Sequence, residues 1–435
     1  VNARNVDVSS DSNTRIPQTL TAALSASTGV SGLVNIAYAQ INNTVSAEIT
    51  AGADVTATNR IDIDADANNY LRAHGAGASF GVAAVGGIVS KGVLGRDIDS
   101  DLTNTTADVV ARVGSNASLT GPTVVIDAYS NDNLYVDSTA AGGGAVAITG
   151  AASILNSDQI TLVDFVDGAS ITATDLTVKA RNLQNNDSSA DAYSIALATG
   201  SGAANTQNNN SVARVLLGDV SISGNSIDIS TFNELDKTAH NDSGFNLVSG
   251  SAGIGNVQIL ASVNDFNNVS EITIGDGAAI TGTGGFADPA EINLSAKSEV
   301  DVVDRVRVYA VGGLAIADAS SEVQADITNR VTIGDADISA PSGDVNIYTQ
   351  HRGNILTDSN VDMGGYAAAG LARATTHYTP TNVITANNGA SIVANDIKFY
   401  AGRDADYFHN ILRLQSAANL FVASFLPSIS VPITN

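Results

Sequence analysis

Residues 168–182 read Gly-Ala-Ser-Ile-Thr-Ala-Thr-Asp-Leu-Thr-Val-Lys-Ala-Arg-Asn, and near-copies of this stretch recur along the whole chain. Ile171 anchors it, and Leu176, Val178 and Ala180 follow at alternate positions with Thr177 and Lys179 between them. That period of two is the signature of a strand with one buried face. The other anchors are Val55, Leu119, Ile222, Ile280, Ile338 and Ile392, at steps of 64, 52, 51, 58, 58 and 54 residues. The copy after Ile280 is interrupted by an insertion over 282–289. Repetition at such a period points to a solenoid or an array. Length alone would suggest two or three globular domains in 435 residues, but a solenoid grows along one axis and need not split. The expectation is one continuous array over residues 1–435.

Each repeat has three parts. The anchor and its alternating strand come first. A run of small residues follows, at 20–39, 75–90, 138–154, 193–205, 245–263, 306–319, 363–374 and 417–426, where Ala, Gly, Ser and Val alternate. A polar turn and a further strand, as at 43–49, 211–216 and 323–327, lead to the next anchor through a glycine such as Gly52, Gly168, Gly218, Gly277 or Gly389. Short strands joined by Gly, Asn and Asp turns, with no helical periodicity, are all-β.

Two all-β architectures compete: a parallel β-solenoid, and a string of small β-sandwiches. Sandwich units of this length would bury too little surface and would lack the Trp, Tyr or Cys core markers usual there. The chain has no Trp, one Met and 5% aromatic residues against 44% hydrophobic. Its apolar volume is therefore Ile, Val, Leu and Ala, which suits the narrow interior of stacked coils. The expected coil has about 17–20 residues, giving about three coils per repeat, some two dozen in all, and an elongated rod on the order of 100 Å long. Asn-rich turns at 185–186, 208–210, 267–268 and 387–388 suit axial hydrogen-bonded ladders and also suit left-handed turn positions.

Forty-four acidic against twenty basic residues give a net charge of −24. Phosphate binding needs clustered Lys and Arg, so nucleic acid is excluded as a partner, whereas divalent cations become natural counter-ions. The absence of cysteine rules out disulfides, thiolate chemistry and Cys-based metal sites. No apolar run is long enough for a membrane-spanning helix. The opening Val1-Asn-Ala-Arg-Asn5 matches the tail of a repeat, Val178-Lys-Ala-Arg-Asn182. Residues 418–435 are richer in large apolar groups and carry Pro427 and Pro432, which block ladder pairing; they are expected to form a terminal or docking coil. Such ends suggest a section of a longer array, continued end to end by neighbouring repeat segments or identical subunits.

The repeated Gly-Ala-x-Ile-Thr-Ala-x-x-Leu-x-Val-x-Ala, alternating with runs such as Ala140-Ala-Gly-Gly-Gly-Ala-Val-Ala147, resembles the shafts of large secreted bacterial adhesins, the filamentous-haemagglutinin-like exoproteins. The resemblance covers nearly the whole chain. It implies a right-handed parallel β-helix of about seven repeats, at the cell surface or secreted, that projects binding regions or builds filaments and biofilm. Host or matrix polysaccharide or protein would be the partner. The chain departs from that pattern in lacking an Arg-Gly-Asp tripeptide and any recognisable binding module.

Candidate chemistry is sparse. Asp62, Asp64 and Asp66 alternate with Ile61, Ile63 and Ala65, and Asp97, Asp99 and Asp101 form a second row. Each row would line an outer face and could lend oxygens to calcium, the one cofactor considered, or be a solvated acidic surface. Neither fits an EF-hand loop or a glycine-rich nonapeptide calcium roll. The histidines His74, His240, His351, His377 and His409 show no metal-ligand spacing. Cleavage of polysaccharide by paired carboxylates would call for long cleft-forming loops and aromatic platforms, which the repeats do not supply, so no catalytic residue is assigned. An ice-binding face would need Thr-x-Thr in every coil, and Thr56, Thr58, Thr172 and Thr174 are not so regular. The sequence is that of a non-enzymatic extracellular shaft or self-assembling filament subunit, with a carbohydrate-binding or polysaccharide-cleaving β-helix as the alternative.

Overall fold

The computed structural model describes residues 1–95, 108–237, 244–404, 409–426 and 428–434. Among them there is no helix, and every ladder between strands is parallel. The chain stacks as eight levels. The first holds β1 (Asn2–Ala26), β2 (Val30–Ile41) and β3 (Val45–Ile49), and the second β4 (Asp54–Leu94) and β5 (Val109–Val113). The third is β6 (Ser118–Phe165) and the fourth β7 (Ser170–Leu217). The fifth holds β8 (Ser221–Gly224), β9 (Ser226–Lys237) and β10 (Leu247–Ile274), and the sixth β11 (Ala279–Gly282) and β12 (Glu291–Ile333). The seventh is β13 (Asp337–Ala386), and the last holds β14 (Ser391–Ala401), β15 (Ile411–Ser424) and β16 (Ile429–Thr434).

The anchors set the register. Val55 pairs with Leu119, Leu119 with Ile171, Ile171 with Ile222, Ile222 with Ile280, Ile280 with Ile338 and Ile338 with Ile392. A second column runs Val6, Ile61, Val124, Leu176, Ile227, Ile292, Val345, Ile397. On the inner levels both columns face the inner residues of the last strand of each coil, such as Val113, Phe165, Leu217, Ile274 and Ile333, in one buried apolar cluster, with Val6 and Ile392 partly buried at its ends and Ile397 exposed. These three short walls form the head of the coil. Burying each Val, Leu or Ile there is worth about 1.5–3 kcal/mol, and the pleat puts every second residue inside.

Beyond the head each coil runs out as a long two-walled arm and returns. Its walls face one another through side chains: Ser138 Oγ donates to the Ala152 carbonyl at 2.6 Å, Ser188 Oγ to Gln207 Oε1 at 3.3 Å, and the Thr357 and Thr376 hydroxyls meet at 2.8 Å. The small-residue runs form the far half of this arm. The insertion over 282–289 bulges between β11 and β12, with Asn225 Nδ2 holding Asp288 Oδ2 at 2.8 Å.

The coil itself differs from expectation. Residues one full repeat apart, not one third of a repeat, are laddered: Asn2 with Thr56, Ser118 with Ser170, Leu247 with Val306. One repeat is one turn. The stack therefore rises about 34 Å over seven steps of about 4.8 Å, where three turns per repeat would have given about 100 Å. The reason is that the small-residue run closes by packing its two halves wall to wall instead of turning again.

Glycine is required at two kinds of position. At the turn three residues before the anchor, Gly52, Gly168, Gly277 and Gly389 have φ of 70°, 80°, 85° and 99°, and Asn116 takes the same left-handed place with φ of 55°. At the arm tip, a Cβ on Gly144 would lie 1.8 Å from the Gly81 carbonyl oxygen. On Gly312 it would lie 2.0 Å from that of Gly253, and on Gly365 2.1 Å from that of Gly312. The preceding level's backbone occupies that space. Gly312→Ala is expected to destabilise the protein by about 1–3 kcal/mol. Gly255→Ala, where a Cβ meets nothing within 4 Å, will not; urea melts of the two variants check the contrast.

Axial side-chain ladders tie the levels together. Asn267 Nδ2 donates to Asn210 Oδ1 at 2.8 Å, and Asn210 Nδ2 to Asp158 Oδ1 at 2.7 Å, so three levels are linked through one column. Asn208 to Asn156, Asn346 to Asn293 and Asn419 to Asn360 repeat the arrangement at 3.1, 3.0 and 2.9 Å. Arg112 with Asp164, Arg214 with Glu271, Arg307 with Asp362 and Lys398 with Asp344 are likewise pairs between adjacent levels. Half-exposed pairs of this kind contribute little singly, but they place the scarce cations against the acids of the next level.

Candidate interaction surfaces

The first surface is the acidic row. Asp62, Asp64 and Asp66 point outward between buried Ile61, Ile63 and Ala65, as the alternation requires. Stacking adds Asp7 beside Asp62, Asp11 beside Asp66 and Asp127 beside Asp64. Burial, then the charges of Asp62, Asp127, Asp66 and Asp7, push the Asp64 carboxyl up to about 6. Asp66 is raised by burial and by Asp127 and Asp11, against the pull of Arg181. Arg60 Nε holds Asp62 at 2.6 Å, and Arg181 pairs with Asp127. Successive outward carboxylates on one strand stand about 6.6 Å apart, a row and not a cage. Among the described residues no group of three or more His, Asp or Glu is arranged to hold a metal. Asp97, Asp99 and Asp101 lie outside the described residues, as does His240.

The remaining histidines stand apart. His74 is 3.9 Å from Asp137, while His377 and His409 are exposed. His351 is buried, its Nδ1 2.7 Å from Asn382 Nδ2, and burial lowers its pKa.

The arm interior holds polar groups that the sequence reading did not find. Lys237 and Asp304 form an ion pair at 2.9 Å with both side chains wholly buried. Asp304 also accepts from Ser262 Oγ at 2.8 Å and Ser321 Oγ at 2.6 Å, and Lys237 Nζ donates to the Val303 carbonyl at 3.3 Å. Asp132 is fully buried, accepting from Asn69 Nδ2 at 2.8 Å and Ser130 Oγ at 3.0 Å, and burial pushes its carboxyl up to about 7. Burial also raises Asp191 to about 6. The available signal was the alternation of Asn182, Gln184, Asn186 and Ser188, a strand whose inward face is polar.

The third surface is the outside of the arm. Towards the tip the usual polarity reverses: Ser194 is buried while Ile195 and Leu197 are exposed. Val82, Val85, Val146, Ile148, Ile254 and Val257 are exposed in the same region on other levels. On the returning wall Val146 and Ile148 rise beside a shallow apolar groove floored by Ala198, Gly200 and Gly255 and closed by Val257 and Leu314.

The fourth is the pair of open edges. Among the described residues β1, β2 and β3 are laddered on one side only, to β4 and β5, and β14, β15 and β16 only to β13. Pro432 sits within β16, opposite Ala372, so that strand carries one donor fewer; Pro427 lies outside the described residues. Among the described residues no helix is long and apolar enough to cross a membrane. Comparison with protein-family models, with curated proteins and with solved structures finds no match.

Proposed function

We propose that this chain is a structural β-solenoid section of an extracellular shaft, of the kind that large bacterial surface adhesins use, and that it works without chemistry. The observation that carries the proposal is the pair of open edges. Among the described residues the strands of each terminal level are laddered on one side only, and β1 keeps the alternation of inner and outer side chains found inside the stack. An edge of that length is a template for another strand layer. The occupant of each edge is a further coil, supplied by neighbouring repeats of the same polypeptide or by an identical subunit joined end to end. The axial Asn ladders and ion pairs support the same reading, because they join one level to the next along the stack. Adhesion, biofilm and filament formation follow from the resemblance in the repeats, with the shaft carrying binding regions outward.

The test is to extend the protein by one further repeat and measure its length by small-angle scattering and electron microscopy. A shaft lengthens by about 4.8 Å per repeat and presents a new open edge of the same kind. A separate compact module appearing beside the first would reject the proposal. Cleavage of a polysaccharide by the purified chain would reject the mechanical reading in favour of an enzyme.

A further inference from the structure

The outer face of the returning arm wall is a second kind of surface, independent of whether the coil edges are capped. Four outward columns begin at Val30, Gly32, Val34 and Ile36 on the first level and run up the stack in register. Along them the only charged residues are Asp318 and Arg373. In a protein of net charge −24 such a face is an exception. The large aliphatics on it are exposed, Ile148 at 53% and Val257 at 45%, and contiguous apolar patches of this kind mark interaction sites.

We infer that this face is where two copies of the chain pack side by side, returning wall against returning wall. Three arguments select a second copy. The first is area. Four columns spaced about 6.6 Å along the strands and seven steps of about 4.8 Å up the stack cover roughly 900 Å². Two such faces bury about 1,800 Å², within the range of a specific dimer of about 1,200–2,000 Å².

The second is shape. The ridge of Val146 and Ile148 stands beside the groove over Ala198, Gly200 and Gly255. A two-fold axis lying in the plane of the interface turns the two faces towards each other and seats each copy's ridge in its partner's groove. The glycines fit this arrangement. A Cβ on Gly87 or Gly255 would meet nothing within 4 Å, and neither has a positive φ, so the fold itself does not demand glycine there. A strand glycine in open space suits the close approach of another backbone.

The third is charge. A lipid surface would call for Lys and Arg beside the apolar groups, and this face has Arg373 alone. A face whose only carboxylate is Asp318 lets two such acidic molecules meet with little desolvation of carboxylates.

Sedimentation equilibrium on the whole chain tests the inference. The protein is expected to dimerise at micromolar concentration, and to do so more tightly as ionic strength rises from about 0.02 to about 0.5 M, because salt screens the repulsion between the copies. Ile148→Glu together with Val257→Glu is expected to weaken the dimer at least about 100-fold, with unchanged far-ultraviolet circular dichroism. Ile148→Thr with Val257→Thr, which keeps strand propensity, should weaken it to a smaller extent. A third reading uses the absence of cysteine: Val257→Cys gives a single labelling site, and spin labels on two copies should lie within about 20 Å of each other, since the face is only about 27 Å wide. A chain that stays monomeric at about 100 µM overturns the inference. So does a dimer insensitive to both double variants, or one whose scattering shows a doubled height along the stack, which would be end-to-end joining and would leave the shaft reading intact.

Discussion

Asp304→Leu or Lys237→Met alone will destabilise the fold by about 3–5 kcal/mol, the usual cost of leaving one member of a buried ion pair without the other. Both side chains have zero exposure, so water cannot take the place of the missing charge. Removing Asp304 also strands the hydroxyls of Ser262 and Ser321, which donate to it at 2.8 and 2.6 Å. The double variant Lys237→Met/Asp304→Leu should recover most of the loss, because the surroundings on the arm side are already apolar: Leu235, Phe266, Val300 and Val302 pack in one cluster. Urea unfolding of the two single variants and the double variant measures the coupling. Additive losses, with no recovery in the double variant, would show that the pair is not acting as a unit.

A second large effect concerns pH. Asp132 keeps its proton up to about 7 in the folded protein, against a usual value of 3.8. The folded state thus holds this proton more tightly than the unfolded state, and stability falls with rising pH between those two values. Below about pH 4 both states are protonated and the group has no effect. Above about pH 7 both are ionised and the full cost is present, on the order of 4 kcal/mol for a shift of this size. Asp64 and Asp191, each raised to about 6, act in the same direction over the lower part of the window. The protein is therefore expected to melt at a higher temperature near pH 5 than at pH 8. Asp132→Asn keeps an acceptor for Asn69 and removes the charge; it should raise the melting temperature at pH 8, leave it nearly unchanged at pH 4, and flatten the profile between. A profile for Asp132→Asn parallel to that of the parent would remove Asp132 as the cause.

The serine-lined interior of the far arm explains where a simple apolar-inside rule fails. Ser31 and Ser79 meet at 2.8 Å between neighbouring levels, Ser90 Oγ reaches the Asp137 carbonyl at 2.6 Å, and Ser201 and Ser249 meet at 2.7 Å. A Cβ on Gly77 would come within 2.6 Å of both Ile88 and Leu33. The walls are so close there that Ser, Ala and Gly fill the space, and Ile195, Leu197 and Ile254 are turned outward.

The sequence by itself determined the all-β parallel stacking and the register of the anchors. Alternation fixes which residues share a face, and a repeat of that alternation fixes which residues meet one level on; both are local properties of the extended chain. It also placed the outward row of Asp62, Asp64 and Asp66. The tertiary structure alone decided the circumference of the coil, because spacing between anchors says nothing of how often the chain reverses between them. It alone decided that Ser194 is inside and Ile195 outside, and that Lys237 meets Asp304 across 67 residues. Those outcomes depend on the distance between two walls, and that distance is set by side chains that come together only when the arm has closed.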